Sequence, residues 1–172
     1  MDFFEVIRTR RSIRVFEDRP VEEEKIGAIL EAANAAPSAG NLQAYEIFLV
    51  KDPIARGRLA STLPRMEFFS AVPLVLVFCA NPDRAAARYA ERGIKLYALQ
   101  DATIACTHAM LAATAVGLAS VWVGAFRERE VSGALNLPEA LEPVALLPIG
   151  YPLETVEPRS RRPLNEIVHS VK

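Results

Sequence analysis

The stretch ATIACTHAMLAATAVGLASVWVGAF, residues 102–126, holds no Asp, Glu, Lys or Arg in 25 positions. It is either a membrane span or the centre of a soluble core. Length alone fits a membrane span, but Thr103, Thr107, His108, Thr114 and Ser120 interrupt it and its character changes at Gly117. A buried helix stopped by a glycine cap and followed by a buried strand accounts for that change. The helix runs from about Leu96 to Val116, apolar nearly all round and therefore destined for a core or an interface. The strand runs from Ala119 to Val123. The expectation is a soluble, cytoplasmic chain with no membrane partner.

The flanking sequence supports a layered α+β arrangement. Leu74 to Ala80 (LVLVFCA) is a continuous apolar run, as a strand buried on both faces requires. Tyr45 to Val50 is a second strand and Val144 to Gly150 a third. Asp52-Pro53 and Asn81-Pro82 each open a helix, the polar residue as N-cap and the proline at the first helical position. From about Glu22 to Ala35, Ile26, Ile29, Leu30 and Ala33 follow helical spacing, with acids in the first turn where the helix dipole favours them. Asp2 can cap a short helix over Phe3 to Thr9, and Arg127 to Leu135 forms another. The tail is punctuated by Pro152, Pro158 and Pro163 and closes on a short helix over Pro163 to Val168. Helices and strands mingle without strict alternation, which gives one α+β domain over residues 1–172.

Composition bounds the function. The chain has 172 residues, 51% apolar and 24% charged, enough to bury a full core. A net charge of −1 with both signs interspersed argues against a general nucleic-acid or anionic-membrane binder. Cys79 and Cys106 sit in apolar stretches as buried thiols of a reducing compartment. The only histidines are His108 and His169, and no group has metal-ligand spacing, so no metal is expected. His108, inside the apolar helix, reads as a core histidine. The opening MDFFEVIRTRRS lacks the apolar core of a signal peptide. A mean hydropathy of +0.16 hints that part of the surface is buried against a second subunit.

None of the glycines builds GxGxxG, GxxxxGK[ST] or GxSxG, so a bound cofactor, rather than a side-chain nucleophile, has to supply any difficult chemistry. Three segments have the composition for binding one. Arg10-Arg11-Ser12-Ile13-Arg14 offers rigid donor forks and a hydroxyl suited to phosphate, or else a solvated basic helix end. Ala36-Pro37-Ser38-Ala39-Gly40-Asn41-Leu42-Gln43 offers amides able to read a heterocycle edge, or else an ordinary loop after a helix. Arg159-Ser160-Arg161-Arg162 completes an anion clamp, or else keeps the tail soluble.

Taken in order, RRSIRVF (10–16), APSAGNLQ (36–43), GLASVWVGAF (117–126) and RSRRPLNEIV (159–168) resemble the FMN-dependent nitroreductase family over nearly the whole chain. The resemblance implies a three-layer αβα sandwich with a mostly antiparallel sheet, an intertwined homodimer, and a C-terminal arm of about residues 152–172 packing on the partner. It implies FMN at the interface, with Arg10 on the phosphate, Arg11 beside it, and Ser12 as a ribityl- or phosphate-side hydroxyl. Arg14 lies towards the flavin pyrimidine edge, where a cation stabilises charge at N1 and the C2 carbonyl of reduced flavin. Pro37, Ser38, Ala39 and Asn41 match the loop a partner presents to the ring. Val123 and Gly124 match the segment whose backbone reaches N5, and Arg159 and Arg161 the basic pair near the phosphate.

The implied activity is ping-pong hydride transfer from NADH or NADPH through FMN N5 to nitroaromatics, quinones or similar small-molecule acceptors, with no catalytic side chain. Alternatives are another flavin reaction on the same scaffold, such as enone reduction, dehalogenation or flavin cleavage, or a flavin-binding protein without turnover. There are departures. Ala44-Tyr45 follows the loop where many members have Pro-Trp, and Gly124 stands where some larger members have an acid. The Asn and Lys with which some members contact flavin have no clear counterpart, although Arg65 and Phe68 fall nearby. The short stretch from Asn81 to Lys95 implies an open site. Trp122 reads as core or as flavin-side wall, and Phe68 and Phe69 as core or as lining of the substrate opening.

Overall fold

β2 (Leu74–Ala80) is buried along its whole length, and the fold is arranged around it in the computed structural model, which describes residues 1–63 and 66–171. β2 pairs antiparallel with β1 (Tyr45–Val50) on one side and with β4 (Glu142–Gly150) on the other. β4 carries β3 (Ala119–Ser120) on its far edge, giving the order β1-β2-β4-β3. Successive strand side chains point to opposite faces. Leu74, Leu76 and Phe78 therefore join Ala145, Leu147 and Ile149 in one core layer, while Val75, Val77 and Cys79 join Leu146 in the other. α2 (Glu23–Asn34) and α5 (Ala98–Ala115) cover the first face through Ile26, Ile29, Ala102 and Ala105. α3 (Pro53–Ser61) and α6 (Glu128–Leu135) cover the second through Leu59 and Val131. The result is the αβα sandwich. Antiparallel sheets commonly leave one face to solvent; here both are covered, which is why LVLVFCA shows no polar alternation.

Helix starts follow from local chemistry. Asp2 Oδ1 accepts the Glu5 N–H at 2.9 Å to open α1 (Phe3–Thr9), and Asp52 Oδ2 accepts the Ala55 N–H at 2.8 Å for α3. Asn81 Oδ1 accepts the Arg84 N–H at 3.1 Å for α4 (Pro82–Arg92). The decisive stretch resolves as read up to its strand. α5 ends where Gly117 takes φ +78°, with the Leu118 N–H on the Ala113 carbonyl at 2.9 Å and the Gly117 N–H on that of Thr114 at 3.1 Å. This is a Schellman stop.

Four features differ from the sequence reading. Between α4 and α5 the chain makes a π-type turn over Gly93–Tyr97, so regular α5 begins at Ala98 rather than Leu96. Within α4, Ala90 adopts φ +47° and ψ −135°, a kink no alanine takes by preference. The strand expected over Ala119 to Val123 stops at Ser120, and Pro148 explains why. Ser120 faces Ile149, and Val123 exchanges both backbone hydrogen bonds with Leu146 at 2.9 Å. That register sets Val121 opposite Pro148, at a position where a strand residue would donate its N–H. Proline has none, so the ladder is cut there. At the C-terminus, the helix expected over Pro163 to Val168 is one 3₁₀ turn, Leu164–Glu166.

A 3₁₀ turn over Glu67–Ala71 precedes β2; Phe69 is fully buried there, and Phe68 packs on the same core. Trp122 is half-buried against the α2/α5 layer. His108 Nδ1 lies 3.3 Å from the Ala32 carbonyl oxygen, between α5 and α2. Both cysteines are free and buried; burial, then the charge of Glu46, pushes the Cys79 thiol up to about 12, and burial pushes Cys106 higher still. Among the described residues, no helix is long and apolar enough to cross a membrane and no cluster of three His, Cys, Asp or Glu could hold a metal.

Candidate active site

The chain leaves α1 at Thr9 and runs on as an extended segment beside the sheet. Ser12 bridges in parallel to Ser120, and the Ile13 N–H donates to the Ser120 carbonyl at 3.2 Å. Farther on the segment meets the chain leaving β4. The Glu17 N–H donates to the Tyr151 carbonyl and the Leu153 N–H to that of Val15, both at 2.9 Å. Glu154 Oε1 takes the Arg14 and Val15 N–H groups. The two terminal segments are thus joined antiparallel, and this pairing brings residues beyond 154 back alongside residues before 14.

That pairing gathers the arginines. A cleft of about 560 Å³ is lined by Arg10, Arg11, Ser12, Arg14, Arg159 and Arg161, with Glu157 its one carboxylate. Partial burial, and then the nearby guanidiniums of Arg161 and Arg11, lower the pKa of Arg10, which registers cationic repulsion across the cleft. Among the described residues, none of these arginines forms a salt bridge. Arg11 differs from the others. Its Nη1 donates to the carbonyls of Arg8 at 2.7 Å and Arg10 at 2.9 Å, closing the end of α1. Arg11 Nε and Ser120 Oγ, on the two segments joined at the Ser12–Ser120 bridge, are buried without partners. Rigid guanidinium forks with a hydroxyl among them match the oxygens of a phosphate monoester. The donor set fits the phosphate end of FMN.

The other expected site residues lie apart from this cleft. Pro37, Ser38, Ala39 and Asn41 do not line it, nor do Val123 and Gly124. Val123 follows Ser120 by three residues on the sheet edge that Ser12 joins. A Cβ on exposed Gly124 would stand 3.2 Å from Trp122 Nε1, so the small residue keeps this backbone open beside the indole.

The loop after α2 is held from below and above. Asp101, buried in the first turn of α5, accepts the Ala39 N–H at 2.9 Å and the Ala44 N–H at 3.2 Å. Ser38 Oγ accepts the Gln43 N–H at 3.0 Å, and Gln43 Nε2 donates to Asn41 Oδ1 at 2.6 Å. Gly40, Asn41 and Gln43 all have positive φ, affordable to glycine and asparagine and held elsewhere by these bonds. Above the loop, Arg84 Nε donates to the Leu42 carbonyl and Arg88 Nη1 to that of Gly40 at 3.4 Å.

Asp101, Arg84 and Arg88 were not foreseen from sequence. For Asp101 a signal exists, since it is the acid immediately before the 25-residue uncharged run. Arg84 and Arg88 act on a loop more than 40 positions away, a distance sequence periodicity does not reach. Arg65 lies outside the described residues.

Fold and cleft together place the protein among the nitroreductases. The chain belongs to the Nitroreductase family, whose description matches residues 7–63 and 55–151. It is 30% identical to the FMN reductase [NAD(P)H] of Bacillus subtilis over 181 residues, covering 96% of this chain and 73% of that one. A nitroreductase family protein from Clostridium difficile superposes with a TM-score of 0.86 at 33% identity, covering 98% of both chains. The NADPH:FMN oxidoreductase from Vibrio harveyi complexed with NAD+ superposes with a TM-score of 0.89 at 28% identity, covering 99% of this chain and 77% of that one.

Proposed function

We propose that the protein is an FMN-dependent NAD(P)H oxidoreductase that passes hydride, by a ping-pong cycle, to nitroaromatics, quinones or similar acceptors. The observation that supports this reading is the meeting of Arg10 and Arg161, from opposite ends of the chain, in one cation-rich cleft. FMN held there would supply the hydride-accepting chemistry that links the nicotinamide to the acceptor. Arg10, Arg159 and Arg161 bind the phosphate with Ser12, and Arg11 contributes mainly by fixing the end of α1. Arg14 sets a positive charge at the pyrimidine edge, favouring the electron-rich form of the ring. The backbone at Val123 and Gly124 orients the N5 side. No side chain acts as nucleophile, and positioning accounts for the chain's share of the rate.

The whole of residues 1–172 forms one unit that works as a homodimer. Leu164, Ile167, Val168 and Val171 of the arm are exposed apolar residues, as are Phe3, Phe4 and Ile7 of α1. They form the material of an interface through which the arm packs on the partner and Pro37, Ser38, Ala39 and Asn41 reach the partner's flavin. The test is an absorption spectrum of the purified protein before and after NADH or NADPH, followed by an acceptor panel and a light-scattering mass. Yellow protein that bleaches with nucleotide, recovers with acceptor and has the mass of two chains is expected. Colourless protein that takes up no FMN overturns the reading.

A further inference from the structure

We propose that Arg84 and Arg88 of α4 form a subsite for the 2′-phosphate of NADPH, so that the enzyme prefers NADPH to NADH. The inference rests on the reading above that the loop of Ala39 to Asn41 faces a flavin ring. Both guanidiniums donate to the backbone of the same loop, at Leu42 and Gly40, and neither forms a salt bridge among the described residues. Carbonyls are neutral and Glu91 of the same helix is taken by Lys95, so neither charge is neutralised by direct ion pairing among the described residues, although Asp101 holds the loop from its other side and Asp83 precedes Arg84. A guanidinium has five N–H donors, and each loop contact uses one. The two residues are one helical turn apart, about 6 Å along the axis, a spacing that lets two forks flank one phosphate.

α4 and the loop are in direct contact. A Cβ on Gly40 would stand 2.6 Å from the Tyr89 hydroxyl and 2.9 Å from Arg88 Nη1, so α4 lies close on the loop, with both arginines exposed to a ligand. Directly after them, Ala90 holds a backbone conformation that persists only where its surroundings impose it. Neutral nitroaromatics and quinones gain little from two cations. The reductant carries phosphates, and the 2′-phosphate alone separates NADPH from NADH. The cleft of Arg10 and Arg161 is distinct, being assigned to the flavin's own phosphate.

The test uses the FMN-loaded protein and its Arg84→Gln, Arg88→Gln and Arg88→Lys variants, with Arg58→Gln on α3 as control. Calorimetric titration with 2′,5′-ADP and with 5′-AMP reads the subsite directly, and steady-state kinetics with NADPH and NADH read its use. The wild type is expected to bind 2′,5′-ADP more tightly than 5′-AMP. Each Gln variant should bind 2′,5′-ADP about 10- to 100-fold more weakly and lose a similar factor in kcat/KM for NADPH. That loss should fall on KM, with NADH nearly unaffected and Arg58→Gln unchanged. Arg88→Lys, which keeps the charge, should keep part of the preference, and it decides the matter if Arg88→Gln releases FMN: retained preference supports the subsite and lost preference overturns it. Equal binding of the two nucleotides, or a loss confined to the acceptor's KM, also overturns it. A wild type that binds FMN and is reduced equally by both nucleotides defeats the subsite alone; one that neither holds FMN nor bleaches defeats the functional reading beneath it.

Discussion

The central strands and the paired termini follow opposite rules. Along β2 every side chain is buried against apolar neighbours, and the pairing with β4 runs in register from Leu74 to Phe78, where a bulge shifts it. At the cleft, arginines crowd one another with one carboxylate, Glu157, among them and no salt bridge among the described residues, and beyond it the arm exposes Leu164, Ile167 and Val168. The first region is complete within one chain. The second gathers like charge at a cost, and such an arrangement is maintained when a ligand or partner compensates it. On the proposed reading, stability and cofactor binding fall to different parts of the molecule, and substitutions should separate them.

The largest stability effect belongs to the centre. Phe78→Ala, which opens a cavity in the α2/α5 layer, is expected to cost about 3–5 kcal/mol in urea unfolding. A cost under about 1 kcal/mol would erase the contrast. At the cleft, Arg10→Ala is expected to weaken FMN binding by about 1.5–3 kcal/mol in equilibrium dialysis. The melting temperature of the flavin-free protein should not fall, because the change removes repulsion from Arg161 and Arg11. A drop in stability with full FMN retention would reverse the roles of the two regions. Gly117→Ala, at φ +78°, should cost about 1–2 kcal/mol and leave FMN affinity intact. The smallest effect sharpens the picture of the core. With Cys79 raised to about 12, almost no thiolate exists at pH 8, so neither thiol should react with a disulfide reagent until urea unfolds the chain.

Much of this was legible in the residues. β1 and β2 have the bounds the apolar runs suggest, and Asp2, Asp52 and Asn81 cap as their positions imply, since strands buried on two faces and helix starts are local events. β3 was overread because its end depends on Pro148 in another strand. The π-type turn before α5 was hidden because GIKLY is acceptable helix sequence, and only packing selects the wider turn. At the site, the arginine segments suggest an anion by composition alone, whereas their meeting depends on the pairing of Val15 with Leu153. The grip of Asp101 and Arg88 on the 38–43 loop lies between residues far apart in sequence, and only coordinates bring them together.

Pro148 has one more effect. An outermost strand with free amides and carbonyls invites a foreign strand to add to it, a common start of aggregation. Here that margin is two residues long, is cut by an imino acid in its neighbour, and is bridged by Ser12 on its outer side. Strand addition is blocked in that direction, so this side of the sheet is protected from self-templating.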